Sequence, residues 1–256
     1  MANMPVLSGA IFVCSIGLET VLIFRMGINK CYRRYRWIFV YTCYTLLVMD
    51  LVLFAVFFLR PTLYQGAYWE AETLSMGVRF LIAWEIFHDI FREAHTLSRT
   101  VSRSLVALAV LPIMISVWAF WSLRSYQQLF NFYFLLERTC DFVQAFLVLG
   151  IFLVARYYRI GLGKNVWGIA VGFGAYVSAS TCMFAIFNLD RSFAPFMRVL
   201  SPLSFVSMLA VWTWALWDYS PSPAFAASHP AQESAVFGWW EAWVGVLTLI
   251  KRNWNL

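Results

Sequence analysis

Five carboxylates and two guanidinium groups lie inside stretches that are otherwise apolar: Glu19, Asp50, Glu85, Glu137 and Asp141, with Arg79 and Arg138. Such side chains are costly in hydrocarbon, and where they occur they pair with one another, line hydrated cavities, or carry ions and protons. Glu137 and Asp141 stand one helical turn apart, and Arg138 reaches Asp141 at the next favourable spacing. In the stretch YWEAETLSMGVRFLIAWEIFHDIF, Tyr68 to Phe91, a helix groups Glu85, His88 and Asp89, with Arg79 about two turns away. The acids outnumber the arginines, and an unpaired carboxylate in low dielectric must be protonated, hydrated or bound to a cation. The expectation is a polar intramembrane cavity lined by these seven charged residues, one that binds a small ligand or cation or relays protons. The plainer reading is a structural network in which Arg79 pairs with Asp50 or Asp141, and Arg138 with Glu137 or a neighbour. Glu85, with no cation within a turn, is the better functional candidate of the Tyr68–Phe91 helix, and Arg79 the structural one.

Other chemistries lack parts. Glu85-x-x-His88 matches half of a carboxylate-bridged di-metal site, which needs a second Glu-x-x-His on another helix; none exists, so Glu85 and His88 are weak metal candidates. His95 falls in a loop and His229 in the tail, which leaves neither three histidines for zinc nor two for haem within the apolar stretches. A retinal Schiff base needs an intramembrane lysine, whereas Lys30, Lys164 and Lys251 belong to loops, loop edges or the tail. No Gly-x-Ser-x-Gly or His-Glu-x-x-His motif is present. No cofactor is expected, and a ligand-binding or receptor-like role is favoured over catalysis.

The elements that must position these charges are membrane spans. With 62% hydrophobic and 12% charged residues and a mean hydropathy of +0.70, the chain departs far from soluble composition. Its 256 residues suffice for about seven spans of roughly 20 residues with short connections. The spans are read at Pro5–Phe24, Trp37–Leu59, Tyr68–Phe91, Ser104–Leu123 (with Pro112), Gln127–Ala155, Asn165–Phe187, and a last one ending near Trp217, with Pro202 a kink. Arg25, Lys30, Arg33, Arg34 and Arg36 crowd the first loop; Arg92, Arg99 and Arg103 the third; Arg156, Arg159 and Lys164 the fifth. The alternate loops hold Arg60, Arg124, Arg191 and Arg198. Positive charge marks the cytoplasmic side, so the N-terminus is placed outside and the C-terminus in the cytoplasm. The net charge of +6 is thereby read as topological, with the lipid bilayer as the partner and no role for nucleic acid.

Gly168, Gly172 and Gly174, with Ser178 beyond, form a small-residue stripe suited to close helix packing, within the chain rather than between copies. Tyr68 and Trp69, and Trp212, Trp214 and Trp217, sit near span ends and are read as an interfacial aromatic belt. The seven-helix domain covers 1–218, a proline-punctuated linker 219–233, and an amphipathic helix 234–256. The apolar run Val236 to Ile250 is about 22 Å long, short of a span, and should lie along the interface, where its apolar face also offers a surface to a protein partner. The cysteines are scattered and suggest neither disulfides nor a thiolate site. The first apolar run lacks a basic leader and is read as a retained helix, not a signal peptide.

At YWEAETLSMGVRFLIAWEIFHDIF, LLERTCDFVQAFLVLGIFLVARYYRIGLG and VWGIAVGFGAYVSAS the chain resembles a group of uncharacterised bacterial seven-helix membrane proteins. The resemblance implies an inner-membrane address and a shared scaffold with Trp69, Glu70, Glu85, Glu137, Arg138 and Gln144 as hallmark positions. It implies no mechanism, and Cys140 and Asp141 depart from the group's pattern.

Overall fold

A computed structural model describes residues 4–91, 110, 114, 126–157 and 162–218. Apart from positions 110 and 114, the fourth span lies outside the described residues, as does the segment 219–256 expected to hold the linker and the amphipathic helix. Those residues form an all-helical chain without strands. Six long helices follow one another: α1 (Met4–Ile28), α2 (Arg36–Leu59), α3 (Pro61–Ile90), α4 (Tyr126–Tyr157), α5 (Lys164–Leu189) and α6 (Ala194–Ala215). All except α3 contain a segment long and apolar enough to cross a membrane. Each packs on the next, α6 returns to α1, and α3 also touches α5.

The surface and the interior exchange their usual roles. Val13, Phe24, Phe58, Phe142, Leu153 and Trp214 are exposed on four different helices, whereas Glu19, Arg79, Asp141 and Gln144 are buried. Water does not tolerate apolar surface spread this widely. Lipid does, and the bundle has the architecture of a multi-pass membrane protein.

Local sequence explains how the helices meet. Lys30 ends the turn after α1 with φ 54°, a left-handed conformation usually left to glycine. Beside it, Asn29 Nδ2 donates to Trp217 O at 2.9 Å, and Asn165 Nδ2 to Ala215 O at 2.8 Å, so two asparagines satisfy carbonyls at the C-terminal end of α6. Between α2 and α3 only Arg60 intervenes, its φ/ψ of −147°/72° forced off helix by Pro61, which opens α3. The third helix thus starts at Pro61, not near Tyr68. Its 30 residues rise about 45 Å, more than the hydrocarbon core requires.

The glycine stripe is internal packing, as expected. A Cβ at Gly168 would lie 2.4 Å from Ala215 Cβ, at Gly172 2.9 Å from Trp212 Cδ1, and at Gly174 2.9 Å from Val148 Cγ1. Trp212 therefore does not belong to an interfacial belt. It is fully buried, fills the groove left by Gly172, and donates from Nε1 to Ile169 O at 3.1 Å. Trp214 and Trp217 remain at the surface, under Lys164 and Arg25 at 4.9 and 3.6 Å from the ring centroids.

Candidate functional site

The interior charges separate into three groups. The first centres on Arg79, midway along α3 and 1% exposed. Its Nη2 donates to Glu72 Oε1 at 2.7 Å, and its Nη1 to Asp141 Oδ1 at 3.0 Å and to Tyr176 Oη at 3.3 Å. Glu72 and Arg79 stand seven residues apart, two turns on one face of α3. Asp141 comes from α4, and its second oxygen accepts a hydrogen bond from Ser180 Oγ of α5. Tyr176 and Ser180, one turn apart on α5, thus complete a three-helix knot. Gln144, one turn along α4 from Asp141, donates from Nε2 to Met76 O at 3.3 Å. Arg79 Nε and Gln144 Oε1 are buried without partners.

Glu137 stands one turn from Asp141, half-buried and within electrostatic reach of Glu72, Asp141 and Arg79. Among the described residues it makes no ion pair. Tyr68 is within reach of Glu72 and Glu137 as well. Trp69 of α3 stacks on Tyr133 of α4 at 5.8 Å, interplanar angle 14°. Carboxylate and aromatic faces therefore stand together along the α3–α4 seam. Arg138, expected to face inward, is exposed on α4 and does not join the group.

The second group pairs Glu19 of α1 with Asp50 of α2. Glu19 is 0% exposed, with Asp50 and Thr45 as its polar neighbours; Ser15 stands beside Asp50. Among the described residues no donor reaches either Glu19 oxygen at bonding geometry, nor Asp50 Oδ2. The Thr45 hydroxyl lies within hydrogen-bond distance of Tyr41 O and Thr42 O, both at 3.1 Å, to which its single hydrogen is donated, and Ser15 Oγ donates to Phe12 O at 2.9 Å. Asp50 sits in a π-helical stretch, Thr45–Val52. It does not pair with Arg79.

The third group is structural. The Glu85 carboxylate accepts the backbone N–H groups of Trp37 (3.1 Å to Oε2) and Ile38 (3.3 Å), at the start of α2, where no side chain of α2 itself caps the helix. One turn on, Asp89 Oδ1 accepts from Arg34 Nε at 3.0 Å and Nη2 at 2.6 Å. Together these two acids fasten the turn between α1 and α2 to the end of α3. Glu85 thus has backbone partners of its own and stands apart from Glu19. His88 is exposed, and among the described residues no group of three or more metal-ligating side chains is assembled.

Glu72, Tyr176, Ser180, Tyr41 and Gln144 escaped the list of charged residues drawn from the sequence. Two signals were present: the seven-residue spacing of Glu72 and Arg79, and a lone polar i,i+4 pair on an apolar, glycine-rich helix. Tyr41, nearly fully buried, lies within electrostatic reach of Glu72, Arg79 and Glu19, between the first two groups.

No protein-family model, curated protein or solved structure matches the chain. What the architecture and the charged interior define is a class: a multi-pass helical membrane protein with a polar centre.

Proposed function

We propose that the chain is a seven-helix protein of a bacterial inner membrane, N-terminus outside, whose polar centre binds a small cation in a receptor-like role. The observation that carries this reading is the charge excess around Arg79. Three carboxylates, Glu72, Asp141 and Glu137, surround one guanidinium, and Glu137 is left without a cation of its own among the described residues. Beside it, Tyr68, Trp69 and Tyr133 offer ring faces that attract an organic ammonium. A monovalent amine between Glu137 and these rings reduces the excess without disturbing the Arg79 ion pairs.

The test is thermal stabilisation of the detergent-purified protein by tetramethylammonium, choline and putrescine, in wild type and Glu137→Gln. Saturable stabilisation in wild type, lost in the variant, is expected. A wild-type protein indifferent to all three refutes the reading. A second reading, a proton or cation conduit, draws on the buried acids standing on both sides of Tyr41. Proteoliposomes that carry no proton or cation current under an imposed gradient would remove it.

A further inference from the structure

We infer that Glu19 and Asp50 form a proton-binding site, in which the two carboxyl groups hold one proton between them, carried on Glu19. The inference stands whether or not Glu137 binds a cation. Three observations converge on it.

Glu19 is fully removed from solvent, and among the described residues neither of its oxygens has a donor. An ionised carboxylate in that setting carries a large uncompensated desolvation cost, which a bound proton removes. The group facing it is another carboxylate, Asp50, with one oxygen also buried and unpartnered. Two adjacent like charges in a low dielectric cannot both persist, and a shared proton is the usual resolution.

Among the described side chains the surroundings supply no alternative neutraliser. From α2 the ionisable neighbours are Asp50 and Tyr41; from α3, Glu72 and Arg79 stand around Tyr41, with Arg79 already held by Glu72 and Asp141. The side chains described on α6, which packs against α1, include no ionisable group. A metal ion is less well served: only two carboxylates meet here, and among the described residues no group of three or more metal-ligating side chains is assembled.

The backbone is arranged to make the pair. In an α-helix the fifth residue along is turned about 140° from the first. The i→i+5 bonding of the π-helical stretch Thr45–Val52 instead sets Asp50 roughly one turn above Thr45, on the side that Glu19 occupies. π-Turns within helices occur frequently at functional sites.

The experiment is infrared spectroscopy of the full-length protein in lipid nanodiscs, following the C=O stretch of protonated carboxyl groups in H2O and D2O. Wild type at neutral pH should show a deuterium-sensitive carboxyl band that is absent from the Glu19→Gln spectrum. In Asp50→Asn the band should persist, and it should be lost on alkalinisation about one pH unit or more below wild type, because the opposing charge is gone. A Glu19→Gln spectrum identical to wild type overturns the inference. So does a wild-type band that responds to sodium concentration at fixed pH, which would assign a cation to the site. If Glu19→Gln does not accumulate as folded protein, Asp50→Asn decides alone: an unshifted titration overturns the shared proton.

Discussion

Asp141→Asn should destabilise the bundle more than Glu72→Gln, although Glu72 makes the shorter bond to Arg79, 2.7 against 3.0 Å. Both substitutions leave Arg79 with one ion-paired carboxylate and with Glu137 nearby, so the electrostatic balance they leave around it is similar. The difference lies in where the partner comes from. Glu72 and Arg79 belong to α3, and their ion pair survives when helices separate within the bilayer. Asp141 belongs to α4 and meets Arg79 only in the assembled bundle, where it also accepts the Ser180 hydroxyl of α5.

The magnitude follows from two limits. Removing one partner of a buried ion pair costs about 3–5 kcal/mol when the reference state is water. In membranes, where separated helices find other partners, individual interhelical hydrogen bonds average about 0.6 kcal/mol. A charged interhelical contact with a second bond behind it falls between, at about 2–3 kcal/mol for Asp141→Asn, roughly a 30- to 150-fold change in the folding equilibrium. Glu72→Gln should stay below about 1 kcal/mol, as expected of an interaction present in both states. The assay is reversible unfolding in mixed micelles, followed by the fluorescence of buried Trp212, with Arg79→Met and the double variant completing a cycle. A Glu72→Gln cost equal to or above that of Asp141→Asn refutes the reasoning, as does a coupling of Arg79 to Asp141 below about 0.5 kcal/mol.

Two further outcomes rest on other parts of the structure. Gly168→Ala places a methyl group 2.4 Å from Ala215 Cβ, and should cost about 1–3 kcal/mol by overpacking α5 against α6; an unchanged unfolding midpoint would mean the helices stand farther apart. Asp190, after α5, accepts the Ser192 hydroxyl at 2.7 Å and its N–H at 2.8 Å, bonds that hold its carboxyl below the usual 3.8. A carboxyl depressed on folding favours the native state above its ordinary value and loses that contribution as pH falls through the depressed one. Wild type should therefore lose an advantage over Asp190→Asn on acidification, and a carboxyl titration at or above the ordinary value would contradict the cause given.

The membrane class and most span limits were legible because hydropathy is summed over long windows and survives local error. The limit that failed, at Tyr68, failed because polar and aromatic residues after Pro61 resemble a loop in composition, while Pro61 at the first helical position commits the backbone to helix. Trp212 was misplaced for a similar reason: position along a span says nothing about which side of the helix a residue occupies, and here Gly172 opens the groove that admits it. Arg138 shows the same limit in the opposite sense, since depth suggested an inward charge and the side chain is exposed.

Within the site, the pairing of Arg79 with Asp141 could be named in advance as one of two choices, whereas the backbone winding around the other, Asp50, could not. Helical periodicity at 3.6 residues per turn is the basis on which sequence is converted into faces, and every residue beyond a π segment is rotated relative to that expectation. Thr45 to Val52 is such a segment, and its composition, TLLVMDLV, is indistinguishable from that of an ordinary apolar span. Asp50 makes no ion pair with Arg79 and stands against Glu19, where among the described residues two acids meet without a base. Winding that served only to balance charge would favour Arg79 over a second acid as the neighbour of Asp50. The π stretch and the orphaned glutamate therefore have a common explanation in a site that must be able to take up a positive charge.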